Sequence, residues 1–531
     1  MSDAYRLQQP PEPAQRPGPR SKPFIPDEPV AEQETPPPQR QATGRLVSLD
    51  AYRGFIMLLL AASGFGIASF ARLPDDAAVW HRPINAAGKE RAPTDAEAAA
   101  RQQWWRTLAF HFDHPAWRSD FLPFPATESA TVSVWARWGV SFWDLIQPAF
   151  MFMVGVAMPF SLKRRDEQGQ TAGKRFSHAL LRAIVLTLLG VFLYSRGAVG
   201  TNWNFTNVLA QIGLGYFFVY LMSHARWWLQ GVFVLLILAG TWYFMQVGYW
   251  QWTGEPVPDG RYDHAAVNAD PTKGEVLTGR FAPWSKNDNA AHALDVQLLN
   301  TLRDPNGTAM ADWRAKRKQQ GLSFGERLQA VGRRLFFANT DEFVFNRGGY
   351  QTLNFVPSMA TMLIGVMCGQ LMLLRLPPGR TLLYLLLGAA VCLALGRVSG
   401  TYLVPIVKRI WTPSWALFSS GYVILMLAAF YLLFDVLPFK KLAFPLVVVG
   451  MNSLLVYMMG QLMRPFTQES VVGPHLTGLL QSLLGTDPEL DGPLYLLRDD
   501  MFGRLIEPTA VLCVFWLIAW WLWRRRIFVR I

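Results

Sequence analysis

Ten stretches of roughly 18–22 predominantly apolar residues recur along this chain, each long enough to cross about 30 Å of hydrocarbon as a helix. They read as 51–71, 142–162, 178–195, 205–223, 229–248, 354–374, 381–397, 415–434, 445–462 and 508–523. Lipid offers no partners for backbone N–H and C=O groups, so such segments satisfy them internally as helices. The expected fold class is therefore all-α, a polytopic membrane helical bundle with about ten transmembrane helices.

Composition agrees. Of 531 residues 51% are hydrophobic and 17% charged, where a soluble domain carries about a quarter charged residues. A net charge of +12 invites a nucleic-acid reading, but the basic residues are spread over short loops between apolar blocks, where they act as topology signals. No nucleic-acid partner is expected, and membrane lipids are. Many of the 21 tryptophans lie beside block ends (Trp104, Trp105, Trp227, Trp228, Trp250, Trp411, Trp415, Trp521, Trp523), as in an interfacial aromatic belt. Cys368, Cys392 and Cys513 fall within apolar blocks and read as small core hydrophobes, with no disulfide framework or metal site implied.

Residues 1–46 hold eleven of the 36 prolines and read as a disordered cytoplasmic tail. With no apolar core region, the tail is not expected to be a cleavable signal peptide. Residues 47–531 form the transmembrane domain. The basic loops Lys163-Arg164-Arg165 with Lys174-Arg175, Arg226, Arg375 with Arg380, Lys440-Lys441 and Arg524-Arg525-Arg526 fall on one side when ten spans are threaded. That side is cytoplasmic, together with both termini. Arg397, Lys408 and Arg409 fall outside, which points to a miscounted span near them. The threading leaves long external segments at 72–141, 249–353 and 463–507, and long connections of this kind are often functional. Internal repeats are weak: Pro148 to Gly155 and Pro357 to Gly365 differ by one in spacing.

Few residues carry chemistry. Asp50 and Arg53 share a helix face, as a charge pair anchoring the first span or as the lining of a polar cavity. His114 stands in Phe112-Asp113-His114-Pro115-Ala116-Trp117. Imidazole suits proton transfer near neutral pH, yet a lone loop histidine is commonly an ordinary surface residue, and His111 is a rival. Asp144 opens the second span in Phe142-Trp143-Asp144. It either complements the helix dipole or orients His114. Asn346, Arg347 and Asn354, around two glycines, offer donors to a polar substrate or a turn before the sixth span. Asn207 and Gln211, spaced i, i+4, and Asn452 after Gly450 are amides of the kind that bond neighbouring helices. No GxSxG, GxxxxGK[ST] or HExxH motif occurs, and no metal site is expected.

In this order the segments resemble the heparan-alpha-glucosaminide N-acetyltransferase family and its bacterial relatives of unassigned function. The matching stretches are Ser48–Gly54, Asp113–Trp117, Asp144-Leu145-Ile146 with Pro148 and Gly155, Asn207–Gly213, Pro357–Gly369, Thr412-Pro413-Ser414 and Val449-Gly450-Met451-Asn452. The resemblance implies transfer of an acetyl group from cytosolic acetyl-CoA to a glucosamine across the membrane. By position it makes His114 the catalytic base, with Asp144 beside it. On an acyltransferase reading, Trp117, Asn346, Arg347, Asn354 and Asn452 are the residues expected at the acceptor and reacting carbonyl, and Asp50, Arg53, Asn207 and Gln211 those expected at the acyl-CoA. The sequence departs in two places. The family's first-span Asn is replaced by Ala62-Ser63-Gly64-Phe65, and about 23 extra residues, Arg118 to Val140, follow Trp117.

The expected activity is a membrane acetyltransferase acting on a sugar or glycan. A saccharide transporter or flippase, or a non-catalytic scaffold, are the rivals; sparse charge within the helices argues against ion coupling. A bacterial inner membrane is expected, or a lysosomal one in a eukaryote, with a homodimer possible.

Overall fold

A computed structural model describes residues 46–529, apart from 78, 82–83, 87–88, 92, 115–116, 119–139, 199, 255–262, 304–322, 338–340, 438, 477–478 and 480–503. The Pro-rich tail, most of the extra residues after Trp117 and much of the 463–507 segment lie outside the described residues.

The architecture is an all-α polytopic bundle. In chain order the helices are α1 Val47–Ala61, α2 Ile67–Ala71, α3 Asp95–Phe110, α4 Phe142–Glu167, α5 Ala172–Ser195, α6 Val208–Met222, α7 Trp227–Tyr243, α8 Ala290–Thr301, α9 Phe324–Phe337, α10 Phe355–Leu373, α11 Pro378–Tyr402, α12 Pro413–Tyr431, α13 Phe444–Met451, α14 Ser453–Leu462 and α15 Glu507–Arg524. A two-stranded antiparallel ribbon, β1 Ile84–Ala86 with β2 Lys89–Arg91, precedes α3.

All ten apolar blocks are helical among the described residues. Seven are straight helices long and apolar enough to cross a membrane, counting extensions such as Trp227–Thr253, and two more are bent pairs. The pair α1/α2 bends by 52° and α13/α14 by 79°. The remaining block is α6, whose 15 residues reach about 22 Å at 1.5 Å per residue, short of a full crossing. Apolar side chains on the outer faces of α5, α7 and α11, such as Leu188, Leu235 and Val391, are exposed, as lipid-facing residues are in a bundle without its bilayer. The chain is a multi-pass membrane protein.

Local chemistry explains the helix starts. Ser141, Thr171, Asn207 and Thr412 each accept a backbone N–H with the side chain, capping α4, α5, α6 and α12, as short polar side chains do at N-caps. Thr94 and Glu97 form a capping box on α3. The first span breaks where Gly64, Phe65 and Gly66 turn left-handed.

Glycines set two close helix crossings. On α4, a Cβ at Gly155 would collide with the carbonyl of Met362; on α10, one at Gly365 would collide with the carbonyl of Phe152. The weak sequence repeat is thus two surfaces of a single helix pair packed on each other. Gly54 on α1 against the carbonyl of Leu446, and Gly450 on α13 against that of Asp50, repeat the device. Small residues let backbones approach in this way where lipid supplies no hydrophobic drive between helices.

Several sequence expectations change. Trp227, Trp228 and Trp521 are exposed at helix ends, but Trp250, Trp411 and Trp415 are fully buried and belong to the core, not to a belt. Cys513 is exposed rather than buried. Arg397 lies inside α11, where its guanidinium donates to Thr401 Oγ1.

Candidate active site

The bundle has two chemically distinct ends. One gathers Lys163–Arg165, Lys440-Lys441 and Arg524–Arg526. There Asp435 accepts the backbone N–H groups of Val47 and Ser48 at 3.0 and 3.2 Å, closing the start of α1 onto the chain after α12. The other end gathers the N-termini of α4, α6, α10 and α12, and His114 stands there.

Three segments, two loops and one helix start, build the site. Residues 111–114 follow α3 and are fastened to α4, since Trp143 N–H donates to the carbonyl of His111 at 3.0 Å. Asp113 accepts the His114 N–H at 2.8 Å and pairs with Arg72. The second segment is the start of α4, where Asp144 is buried. Its Oδ1 lies 3.0 Å from His114 Nδ1.

The third segment is 405–412, between α11 and α12. Thr412 Oγ1 accepts from Trp415 N–H and Val407 N–H, and Ser414 Oγ donates to the carbonyl of Pro405 at 2.8 Å. These bonds close a tight loop with Trp411 at φ 46°. The loop turns Lys408 inward, with Nζ 2.9 Å from Asp144 Oδ1 and 3.3 Å from His114 Nδ1. Both members of the Lys408–Asp144 pair are almost fully buried, at 6% and 4% side-chain exposure. The basic residues that broke the charge rule are therefore part of the site. Sequence reasoning missed Lys408, although its violation of the topology rule was the available signal.

A network extends from this pair. Arg409 lies 4.0 Å from Glu275, which holds the buried Lys286 at 2.9 Å. Asn354 Nδ2 donates to the carbonyl of Arg409 at 2.7 Å, tying the start of α10 to the same loop. Burial pushes the His114 imidazole below its ordinary range. The hydrogen bond to Asp144 opposes that shift, while Lys408 and Arg409 reinforce it. The ring is thus neutral near pH 7. With Nδ1–H donated to Asp144, its Nε2 lone pair is available as a base. His114 lines a cleft of about 500 Å³ with Arg72, Arg106, Phe110 and Asp113.

The other candidate residues divide. Trp117 is buried, donates its indole N–H to the carbonyl of Trp284 at 3.1 Å and packs on Gly349. Asn346 folds its side chain onto the N–H groups of Gly348 and Tyr350, and Arg347 is exposed. Asn207 and Gln211 stand at the His114 end, remote from Asp50 and Arg53. Gln211 Nε2 donates to the carbonyls of Phe205 and Thr352 at 2.7 and 3.1 Å, and Asn207 donates to Tyr457. Asn452 is at the basic end, in the break between α13 and α14, bonded to Ile527 O and Val529 N–H. It does not meet Asn354 or Asn346. Asp50 is buried and Arg53 half-buried at that same end. Gly64, where the family's Asn is missing, packs on Phe112 and Trp143 beside the site. Among the described residues no three His, Cys, Asp or Glu side chains gather as a metal site requires.

No curated protein matches the chain. Residues 120–260, about a quarter of it, match the family described as heparan-alpha-glucosaminide N-acetyltransferase, catalytic. The matched stretch begins six residues after His114 and includes Asp144, Asn207 and Gln211. Together with the apolar helices, this match supports assigning the chain to a heparan-alpha-glucosaminide N-acetyltransferase-like family of membrane proteins.

Proposed function

We propose that the chain is a membrane-embedded acyltransferase, moving an acetyl or longer acyl group from acyl-CoA to a sugar or glycan at the His114 end. The observation that carries this reading is an imidazole 3.0 Å from a buried carboxylate, at the wall of an open cleft.

In the proposed reaction an acceptor hydroxyl or amine attacks the thioester carbonyl while His114 Nε2 takes its proton. The tetrahedral intermediate collapses with cleavage of the C–S bond, and the departing thiolate recovers the proton from the imidazolium. Asp144 fixes the tautomer and stabilises the transient imidazolium. Lys408 pairs with Asp144 and holds it in place. Arg72 with Asp113, and Arg106 with Asp75, line or flank the cleft as ion pairs, a wall that suits a neutral, hydroxyl-rich acceptor.

Donor entry at the basic end has support of its own. A cleft of about 460 Å³ lies between the start of α5 and the end of α6, lined by Ala172, Gly173, Phe176, Tyr220, Leu221 and His224. Lys174 and Arg175 fall between its lining residues Gly173 and Phe176, Arg175 pairing with Asp166, and phosphate groups favour basic side chains of this kind. Placing this end in the cytosol of a bacterial cell, with the termini there, follows from the positive-inside rule; in a eukaryote the lysosomal membrane is the counterpart.

The test is release of CoA thiol by protein in nanodiscs, given acetyl-CoA and glucosamine-containing oligosaccharides, with His114→Ala beside the parent. Acetylated product from the parent and none from the variant is expected. Equal turnover would remove His114 from the mechanism. Uptake of saccharide into vesicles without acyl-CoA, unchanged in the variant, would favour transport.

A further inference from the structure

Between segment 263–303 and the residues entering α10 stands α9, whose apolar face is left uncovered among the described residues. Ser323 and Glu326 start it as a capping box, with Ser323 N–H on the glutamate at 2.8 Å. Its apolar residues Phe324, Leu328, Val331 and Leu335 recur at steps of four, three and four, one face of a helix. That face is bare: the four are 84, 64, 64 and 45% exposed. An apolar stripe of this size in water needs a partner.

Three observations identify it. Trp203 fixes the helix at the rim of the bundle, donating its indole N–H to the carbonyl of Leu335 at 3.0 Å and stacking on Phe336 at 4.8 Å and 3°. Trp203 lies in the link between α5 and α6, so α9 is held where the outward apolar face of α5 (Leu181, Ile184, Leu188, Phe192) ends. The stripe thereby continues the lipid-facing surface. By sequence the helix also carries Arg327, Arg333 and Arg334 against Glu326 alone, the composition of helices that lie in an anionic membrane interface.

We infer that α9 is an interfacial helix. It lies along the leaflet at the His114 end, with its apolar stripe in the acyl-chain boundary and its net positive charge drawn to anionic phospholipid headgroups. The chain that follows it, 341–354, carries Asn346 and Asn354 to the candidate site, so bilayer contact bears on that wall. The inference stands apart from the acyltransferase reading.

The experiment uses the full chain with Cys368, Cys392 and Cys513 replaced by Ala, and bimane attached at Leu328→Cys or at Gln329→Cys, off the stripe. Nanodiscs contain phosphatidylglycerol with ordinary or brominated acyl chains. Bromine should at least halve the emission at 328 and leave 329 nearly unchanged. An unquenched probe at 328 overturns the inference, whether its emission is that of water or is blue-shifted by a second copy of the chain. Equal quenching at both positions overturns the stripe orientation. Replacing phosphatidylglycerol by brominated phosphatidylcholine should weaken quenching at 328; no change would refute the anionic preference.

Discussion

Replacing Asp144 by Asn separates the two things this carboxylate does. In the parent, Oδ1 faces both His114 Nδ1 and Lys408 Nζ, at 3.0 and 2.9 Å. The amide introduced by Asp144→Asn would lack the charge that keeps the buried Lys408 ammonium paired. Breaking a buried ion pair from one side costs about 3–5 kcal/mol, and with both partners so deeply buried solvent offers little relief. The amide can also donate to Nδ1, moving the ring proton to Nε2 and abolishing the base. A carboxylate in this role is worth about 10⁴ in kcat in serine proteases, so a loss of about 10³–10⁴ in CoA release is expected. The double variant Asp144→Asn/Lys408→Met resolves the effects. It removes the orphaned cation, so the melting temperature should recover most of what Asp144→Asn loses, while activity stays at the level of the single variant. Measurement is by intrinsic tryptophan melting and thiol release on the same preparations. Recovery of turnover in the double variant would show that Asp144 acts only by neutralising Lys408, and the orientation argument would fail.

Further outcomes follow from the same geometry. Because burial, Lys408 and Arg409 together hold the His114 imidazole below its ordinary range, the acid limb of kcat/KM should lie below pH ~6.5. Lys408→Met should move it upward by removing a cation that disfavours the imidazolium, and a limb that moves down would contradict this. Burial pushes the Asp295 carboxyl in α8 up to about 7, against the N–H of Thr352. Its folded pKa exceeds the unfolded value of about 3.9, so its contribution to stability is present below pH ~4 and is lost as pH rises through 7. Asp295→Asn should flatten that part of the melting-temperature profile. Gly349→Ala would set a Cβ 2.6 Å from the Trp117 ring at φ 74°, and should lower the melting temperature by displacing the wall beside Lys286; an unchanged melting curve would show that Trp117 is free to yield.

The helices were legible because lipid imposes one rule on every span: a long apolar run must be a helix. The start of α4 was legible too, since the second apolar block begins at Phe142, where the helix does. What hid was tertiary. The sequence distance between His114 and Lys408 is 294 residues, and no periodicity encodes it. The charge rule that located the basic end misread the loop residue Lys408 as a topology signal, because hydropathy cannot tell a cation facing water from one facing a carboxylate. Thr412-Pro413-Ser414 stands out only as a matching stretch, ahead of the block at 415–434, and in the fold it starts α12. That Thr412 Oγ1 also clasps Val407, closing the loop that aims Lys408, is invisible one-dimensionally. The amides mislead in the other direction. Asn452 and Gln211 look alike in sequence, yet their partners lie at opposite ends of the bundle.

The charge pattern around His114 suits one stage of the proposed reaction better than the others. Two carboxylates, Asp144 and Glu275, face three cations, Lys408, Arg409 and Lys286, leaving one positive charge in excess while the imidazole is neutral. Protonating the ring alone adds a second beside Lys408 and Arg409, which is the sense in which those two cations act on His114. When the acceptor attacks, the ring gains its proton as the carbonyl oxygen gains negative charge, so the proton and the oxyanion arise together and the local balance is unchanged. A site with the opposite excess would hold the imidazolium in the resting state and leave no base. On this argument a substrate that brings its own carboxylate to the cleft should favour the protonated ring and slow transfer. A neutral glycan should therefore outperform its uronic-acid counterpart in the same thiol-release assay, and a preference for the acidic acceptor would show that the excess charge serves binding instead.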